Sequence, residues 1–361
     1  MSADLLKILT KRIRVRSLIL IVLCTLYFCF SLYLFFQWIA PSLDGRTDQH
    51  IAADSSTYIY FADSLREGRN DPFVLASLSS FPNTLWLPVL LAFIFKSTFA
   101  MVIANYLMLL ASVLLLKKVF TFSVNVFLGL LLINPTTTIS LLSVNKEIVD
   151  LLVVSMFLYS FRSHRTGILI GSLLLAFLNR YGVCTVMLLF ILAESKYNPW
   201  RRKRLLTLSI LIVLLNFALP FFGYGELSAR FEEARNGGAI AQLDSLEIHY
   251  LYALAVIPKI IEGIFGQIAF SPAKDYTLWF NNLANVALLF ILAKKRLLIV
   301  RHDLVYFSML GAVMMATSLV IQPRYFYFVY ALLCLQVALV YDNESTEALY
   351  SGHSINRIAD A

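Results

Sequence analysis

The chain has 361 residues, of which 59% are hydrophobic and 14% charged, with a formal net charge of +8. A soluble domain is about 45–50% apolar and about 25% charged, so composition excludes an ordinary soluble protein. The basic excess sits in short runs between apolar stretches, which points to orientation in a bilayer rather than to nucleic-acid binding.

The expected architecture is an all-α polytopic membrane protein, a single transmembrane domain over 1–341 followed by a short polar cytoplasmic tail, 342–361. A basic N-terminus, "MSADLLKILTKRIRVR", precedes an apolar run from Ser17 to Ala40. That run is too long for a signal-peptide core and is read as an uncleaved first span. Further spans are expected at 99–116, 120–134, 147–161, 166–179, 182–195, 205–222, 276–293, 303–320 and 325–341. Together they make about ten crossings, each ideally of about 20 apolar residues. The stretch 83–95 follows Pro82 and contains Pro88, and 251–270 contains Pro258 with Lys259 and Glu262. They are read as re-entrant or interfacial helices. With that choice the basic runs at 11–16, 117–118, 162–165, 201–204 and 294–296 all fall on one side, the cytoplasmic one by the charge bias of membrane proteins. Both termini are then cytoplasmic. The four cysteines, Cys24, Cys29, Cys184 and Cys334, lie in apolar stretches and read as small hydrophobes.

On the opposite side the chain leaves the outer loop 41–82, the "NKE" at 145–147, "NRYG" at 179–182, the outer loop 223–275 and "QPRY" at 322–325. The first loop carries Asp48, Asp54, Asp63, Glu67 and Asp71. Asp54 and Tyr58 are four apart and share a face if the segment is helical. Asp54 is a candidate general base or metal ligand, or else the N-cap of that helix. Asn134-Pro135 ends one span and Glu147 opens the next, which places Asn145, Lys146, Glu147 and Asp150 at the membrane boundary. Ionisable groups there are costly and tend to face polar cavities. Glu147 and Asp150 also suit a helix N-terminus, and Lys146 and Asp150 could pair at i, i+4. An outer-side lysine runs against the charge bias and calls for a further reason. Arg180 and Arg324 interrupt apolar hairpins and are each followed by a tyrosine, Tyr181 and Tyr325. A guanidinium fork suits phosphate oxygens, although single arginines at helix ends also snorkel to headgroups. His249 has no ligand spacing. Walker, dinucleotide-fingerprint, HExxH, CxxC and GxSxG motifs are absent from the sequence.

An acidic residue with Tyr four further on in the first outer loop, a "KE" opening a middle span, Arg180-Tyr181 in the next hairpin and Arg324-Tyr325 before a late span resemble two related groups. These are the membrane-embedded GT-C type glycosyltransferases and the O-antigen or capsule repeat-unit polymerases of bacteria. The chain departs from the GT-C pattern in lacking an adjacent acidic pair in the first loop and a large soluble C-terminal domain.

The resemblance implies a GT-C-like fold in the bacterial inner membrane. It implies glycosyl transfer on the periplasmic face from an undecaprenyl-linked donor to a saccharide acceptor, with surface polysaccharide such as lipopolysaccharide or capsule as product. Lys146, Arg180 and Arg324 would hold the donor phosphates, with Asn145 beside them. Asp54, or Glu147 as second choice, would take the acceptor proton. Tyr58, Tyr181 and Tyr325 would contact sugar faces. No cofactor is implied, a divalent metal stays open, and a chain-length regulator is a possible partner. Two other functions fit the same topology: a transferase adding one sugar from a polyprenyl-monophosphate donor, and a transporter of lipid-linked saccharides.

Overall fold

The computed structural model describes residues 22, 25–43, 53–69, 71–79, 85–199, 203–218, 252–265, 276–299, 302–317 and 323–355. Among them every regular element is a helix. In chain order these are α1 (Thr25–Gln37), α2 (Ala53–Arg66), α3 (Pro72–Ser79), α4 (Trp86–Ile94), α5 (Thr98–Lys117), α6 (Val124–Ile133) and α7 (Pro135–Leu142). Then come α8 (Glu147–Ser163), α9 (Thr166–Asn179) and α10 (Tyr181–Glu194), and α11 (Arg204–Ala218). The last are α12 (Tyr252–Phe265), α13 (Tyr276–Lys294), α14 (Asp303–Met315), a 3-10 turn (Pro323–Phe326) and α15 (Tyr327–Ile355). The outer loop 223–250, His249 and the basic run 11–16 lie outside the described residues. The backbone of α15 continues past residue 341 into the segment expected to be a tail.

Local chemistry explains the breaks that matter for the site. Asn134 leaves the helical region, and its Oδ1 accepts from Thr136 N–H at 2.9 Å while Pro135 starts α7. Proline supplies no N–H to continue the α6 ladder and disfavours helix at the residue before it. The axes of α6 and α7 consequently differ by 85°. Arg180 has extended backbone, φ −159° and ψ 101°, which turns α9 into α10. In the first outer loop Asp71 accepts from Phe73 N–H at 2.9 Å, with Pro72 opening α3 behind this cap.

The last long helix is the hub. In the apolar stretch of α15, 72% of residues are buried inside the protein, against 39% for α5. α15 packs on α6, α8, α13 and α14, and α14 is also buried around most of its girth. The outer helices instead carry exposed apolar stripes at helical spacing: Ile103, Leu107, Leu110 and Leu114 on α5, Ile170 and Leu174 on α9, and Val213, Leu214 and Phe217 on α11. Such stripes have no place against water and suit lipid tails.

The two ends of the bundle differ in chemistry. At one end Arg162 Nη2 meets Asp303 Oδ2 at 3.1 Å, and Arg204 Nη2 joins Asp303 Oδ1 (2.6 Å) to Glu194 Oε1 (2.7 Å). Lys118 and Arg165 lie over the Tyr159 ring, and Lys295 lies over Tyr341. Ser123 N–H bonds Ala338 O at 3.1 Å. Four of the five basic runs therefore gather at one end. The opposite end holds Glu147 and Asn179–Arg180, the two being separated by the 17 residues of α8, about 25 Å at 1.5 Å per residue.

The span count needs correction. Among the described residues two helices can cross a bilayer by length and apolarity, Thr98–Lys117 and Arg324–Tyr341, or three if the bent pair α6–α7 counts as one. That is far fewer than the expected total. Other apolar helices are shorter, such as α9 and α10 with 14 residues each and α14 with 13, a rise of about 20 Å, while the hydrocarbon core is about 30 Å thick. The sequence windows merged turns and caps into apolar runs that the helices themselves do not occupy. The 9-residue α4 and 14-residue α12 fall short in the same way. These elements fit an α-helical membrane protein with many short, packed helices.

The two-ended arrangement predicts a labelling pattern. In a cysteine-free background, Lys118→Cys and Lys295→Cys should react with an impermeant maleimide from one side of the membrane and Arg69→Cys from the other. Reaction of all three from one side would show that the ends are not separated by lipid.

Candidate functional site

The outer end is built around a buried ionic cluster. Glu147 and Asp150 open α8 on one face, three residues apart, and the side chain of each is 1% exposed. Arg180, held out of helix between α9 and α10, points its fork at both. Nη2 lies 3.1 Å from Glu147 Oε1 and Nη1 lies 3.3 Å from Asp150 Oδ2. Nη1 also donates to the Arg324 carbonyl at 3.4 Å. The Tyr325 ring lies within cation–π reach of two guanidinium groups, 5.0 Å from Arg180 Cζ and 5.5 Å from Arg324 Cζ. The fourth segment is the outer loop: Lys146 Nζ stands 5.8 Å over the Tyr58 ring of α2.

Neutral side chains fix this geometry. Asn179 Nδ2 donates to Asp150 Oδ1 at 2.7 Å and to the Lys146 carbonyl at 3.0 Å. Ser140 of α7 donates to Glu147 Oε2 at 3.4 Å. Asn105, fully buried on α5, gathers the carbonyls of Ser140, Leu141 and Ser143 at 3.1, 3.1 and 2.8 Å. It thereby caps the C-terminal end of α7. Ser55 Oγ donates to Val144 O at 2.7 Å, which docks the start of α2 on the segment leading into α8.

Most of the residues singled out by sequence are brought together. Lys146, Glu147, Arg180, Arg324 and Tyr325 converge, and Asn145 adjoins them, its Oδ1 accepting from Lys146 N–H at 3.2 Å. Asp54 falls in the first turn of α2, beside Ser55; its side chain lies outside the described residues. Tyr58 is a core residue, 3% exposed, and presents its ring to Lys146. Tyr181 is 54% exposed and does not join the cluster. Asp150, considered only as a partner of Lys146, is bonded to Asn179 and Arg180. The remaining outer-loop acids have local partners. Asp63 pairs with Arg66 at 2.6 Å, and Glu67 pairs with Arg69. Asp71 accepts from Tyr60 Oη, which holds its carboxyl below the ordinary range and pushes the Tyr60 hydroxyl up. Arg66 also closes the C-terminal end of α4 through the carbonyls of Ala92 and Phe93. Asn179, Ser140, Asn105 and Ser55 were missed. Asn179 had a signal in its place directly before Arg180; the others carry none.

Electrostatically the cluster is not balanced. Lys146, Arg180 and Arg324 are cationic and Glu147 and Asp150 anionic, so one positive charge is in excess. Arg180 has its fork on the two carboxylates, and Lys146 and Arg324 are both partly exposed. Among the described residues no group of His, Cys, Asp and Glu has metal-holding geometry. Comparison with protein-family models, curated proteins and solved structures returns no match.

Arg180 sets the stability of this end. Removing one partner of a buried ion pair costs about 3–5 kcal/mol, and here two carboxylates would be stranded. Arg180→Ala is expected to lower the melting temperature in detergent sharply. Arg180→Met combined with Glu147→Gln and Asp150→Asn should recover most of the loss, since no buried charge then remains. Equal melting of wild type and Arg180→Ala would show that the cluster is not formed.

Proposed function

We propose that the chain is a membrane glycosyltransferase of bacterial surface-polysaccharide assembly, acting at the outer end of a GT-C-like bundle on polyprenyl-linked saccharides. The observation that carries this reading is the gathering of four distant chain segments into one net-cationic cluster.

In this reading Lys146 and Arg324 grip the donor phosphate and offset the charge that develops as it leaves. Arg180 works at one remove: it keeps Glu147 and Asp150 in place and, through Tyr325 and the Arg324 carbonyl, sets the position of Arg324. Asp54 is the general base for the acceptor hydroxyl, carried to the site by the Ser55 anchor, and Glu147 is the alternative. Tyr325 offers a ring to a sugar face.

The finer topology belongs to the same proposal. The basic end lies in the cytoplasm of the inner membrane, with both termini there. Tilting cannot lengthen a short helix, so a locally thinned bilayer accommodates the shorter ones. The donor and acceptor are the principal partners, and a chain-length regulator is a further one.

One observation favours a transporter of lipid-linked saccharides: the 85° break between α6 and α7 resembles the discontinuous helices that line transport sites.

The test uses a polysaccharide-deficient strain complemented with point variants, reading the glycan ladder and membrane insertion together. Lys146→Ala and Arg324→Ala should each lower product about 100-fold, the scale for losing one transition-state donor. Asp54→Asn should do so with donor binding retained. A ladder of repeats identifies a polymerase, and a single added sugar a one-step transferase. Normal product from well-inserted Lys146→Ala and Arg324→Ala overturns the site. Translocation of lipid-linked saccharide without a new glycosidic bond identifies the transporter.

A further inference from the structure

Beside the ionic cluster a cavity of about 30 Å³ lies among α7, α12, α13 and the start of α15, with Asn134, Gly263, Asn281, Asn285, Phe326 and Tyr327 in its walls. One water needs about 10–15 Å³ of such space, so there is room for about two non-hydrogen atoms. The cavity shares two elements with the cluster. Phe326 and Tyr327 directly follow Arg324 and Tyr325, and α7 contributes both the wall and Ser140.

The lining is polar at selected points. Tyr327 is 1% exposed, and its Oη has no hydrogen-bond partner. A buried hydroxyl in that state lowers stability relative to the phenylalanine that would fill the same place. Asn281 and Asn285 donate through Nδ2 to the Ile264 carbonyl at 3.4 and 2.6 Å, and their Oδ1 atoms are left as acceptors. Asn134 has its Oδ1 on Thr136 N–H, and its side chain also bonds Tyr330. Donors and acceptors thus surround a space two atoms long, inside an apolar bundle where unused polar groups are costly.

We propose that this cavity is a hydroxyl-recognition pocket that takes the hydroxymethyl arm of a hexose whose phosphate lies on Lys146 and Arg324. The inference rests on the glycosyl-transfer reading and adds to it the sugar class: hexoses in preference to 6-deoxyhexoses. A hydroxymethyl group supplies one carbon, one oxygen and one hydroxyl proton, which match the room available and the lone Tyr327 hydroxyl.

The test is binding to the full chain in nanodiscs by titration calorimetry, with inorganic phosphate, glucose 1-phosphate and 6-deoxyglucose 1-phosphate as probes. Wild type should bind glucose 1-phosphate about tenfold more tightly than the 6-deoxy sugar, about the 1.4 kcal/mol of one hydrogen bond. Tyr327→Phe removes an unpartnered hydroxyl, so it should fold at least as well, lose that preference and bind inorganic phosphate unchanged. Gly263→Ala should also lose the preference, because a Cβ there would lie 2.0 Å from Phe326 Cε2 and displace a ring of the wall. Phosphate binding with no preference between the sugars in wild type overturns the pocket alone. A preference that survives in Tyr327→Phe also overturns it. Failure of all three probes to bind overturns the anion site together with the pocket.

Discussion

The fork of Arg180, set between Glu147 and Asp150, is the constraint on which the outer end of the molecule depends. Two carboxylates on one buried face of α8 would be untenable without a cation that reaches both. A lysine could offer only a point charge, whereas the planar guanidinium spans the three-residue spacing. Meeting that demand forces the chain out of helix at residue 180 and pulls the Arg324 turn against the same group. The junction of α9 and α10, the first turn of α8 and the entry to α15 are thereby fixed to one another. Lys146 and Arg324 adjoin this cluster and are both partly exposed.

The charged residues of this end were largely legible in the sequence, because each interrupts an apolar stretch where charge is expensive. Lys146, Glu147, Arg180 and Arg324 could be found in that way, and the side they share followed from the basic runs. Their partners could not. Spacing along a helix reveals neighbours on that helix, so it suggested Lys146 for Asp150 but not the bonds that reach Asp150 from Asn179 of α9 and from Arg180. Asn105 and Ser140 are polar residues of a kind that any apolar helix tolerates, and only the tertiary fold shows one capping α7 and the other meeting Glu147. Tyr181 looked equivalent to Tyr325 because both follow an arginine. One starts a helix and is exposed, while the other lies against two guanidinium groups. Span counting failed for a related reason: hydropathy averages over a cap or a sharp break such as Asn134-Pro135, which a helix cannot.

The two ionic layers do different work with similar chemistry. At the basic end, Arg204 and Arg162 share Asp303, and Asp303 is half exposed, so the pairs are screened and their contribution is modest. At the outer end the carboxylates are almost wholly removed from solvent, and the same kind of contact becomes decisive. Between the layers α8 is lined by aliphatic and aromatic side chains, with Phe157, Phe190 and Phe307 packed ring to ring. That apolar middle separates a half-exposed ionic layer from a buried one.

The position of α15 has a consequence for how the protein is made. The helix that touches α6, α8, α13 and α14 follows all four in the chain and leaves the ribosome after them. Those four helices therefore enter the bilayer before their common partner is made. Glu147 and Asp150 face one another until Arg180 emerges some thirty residues later, and the bundle gains its axis only once α15 has been made. A nascent chain stalled before residue 323 would therefore lack its axis, and membrane quality control should recognise it as incomplete.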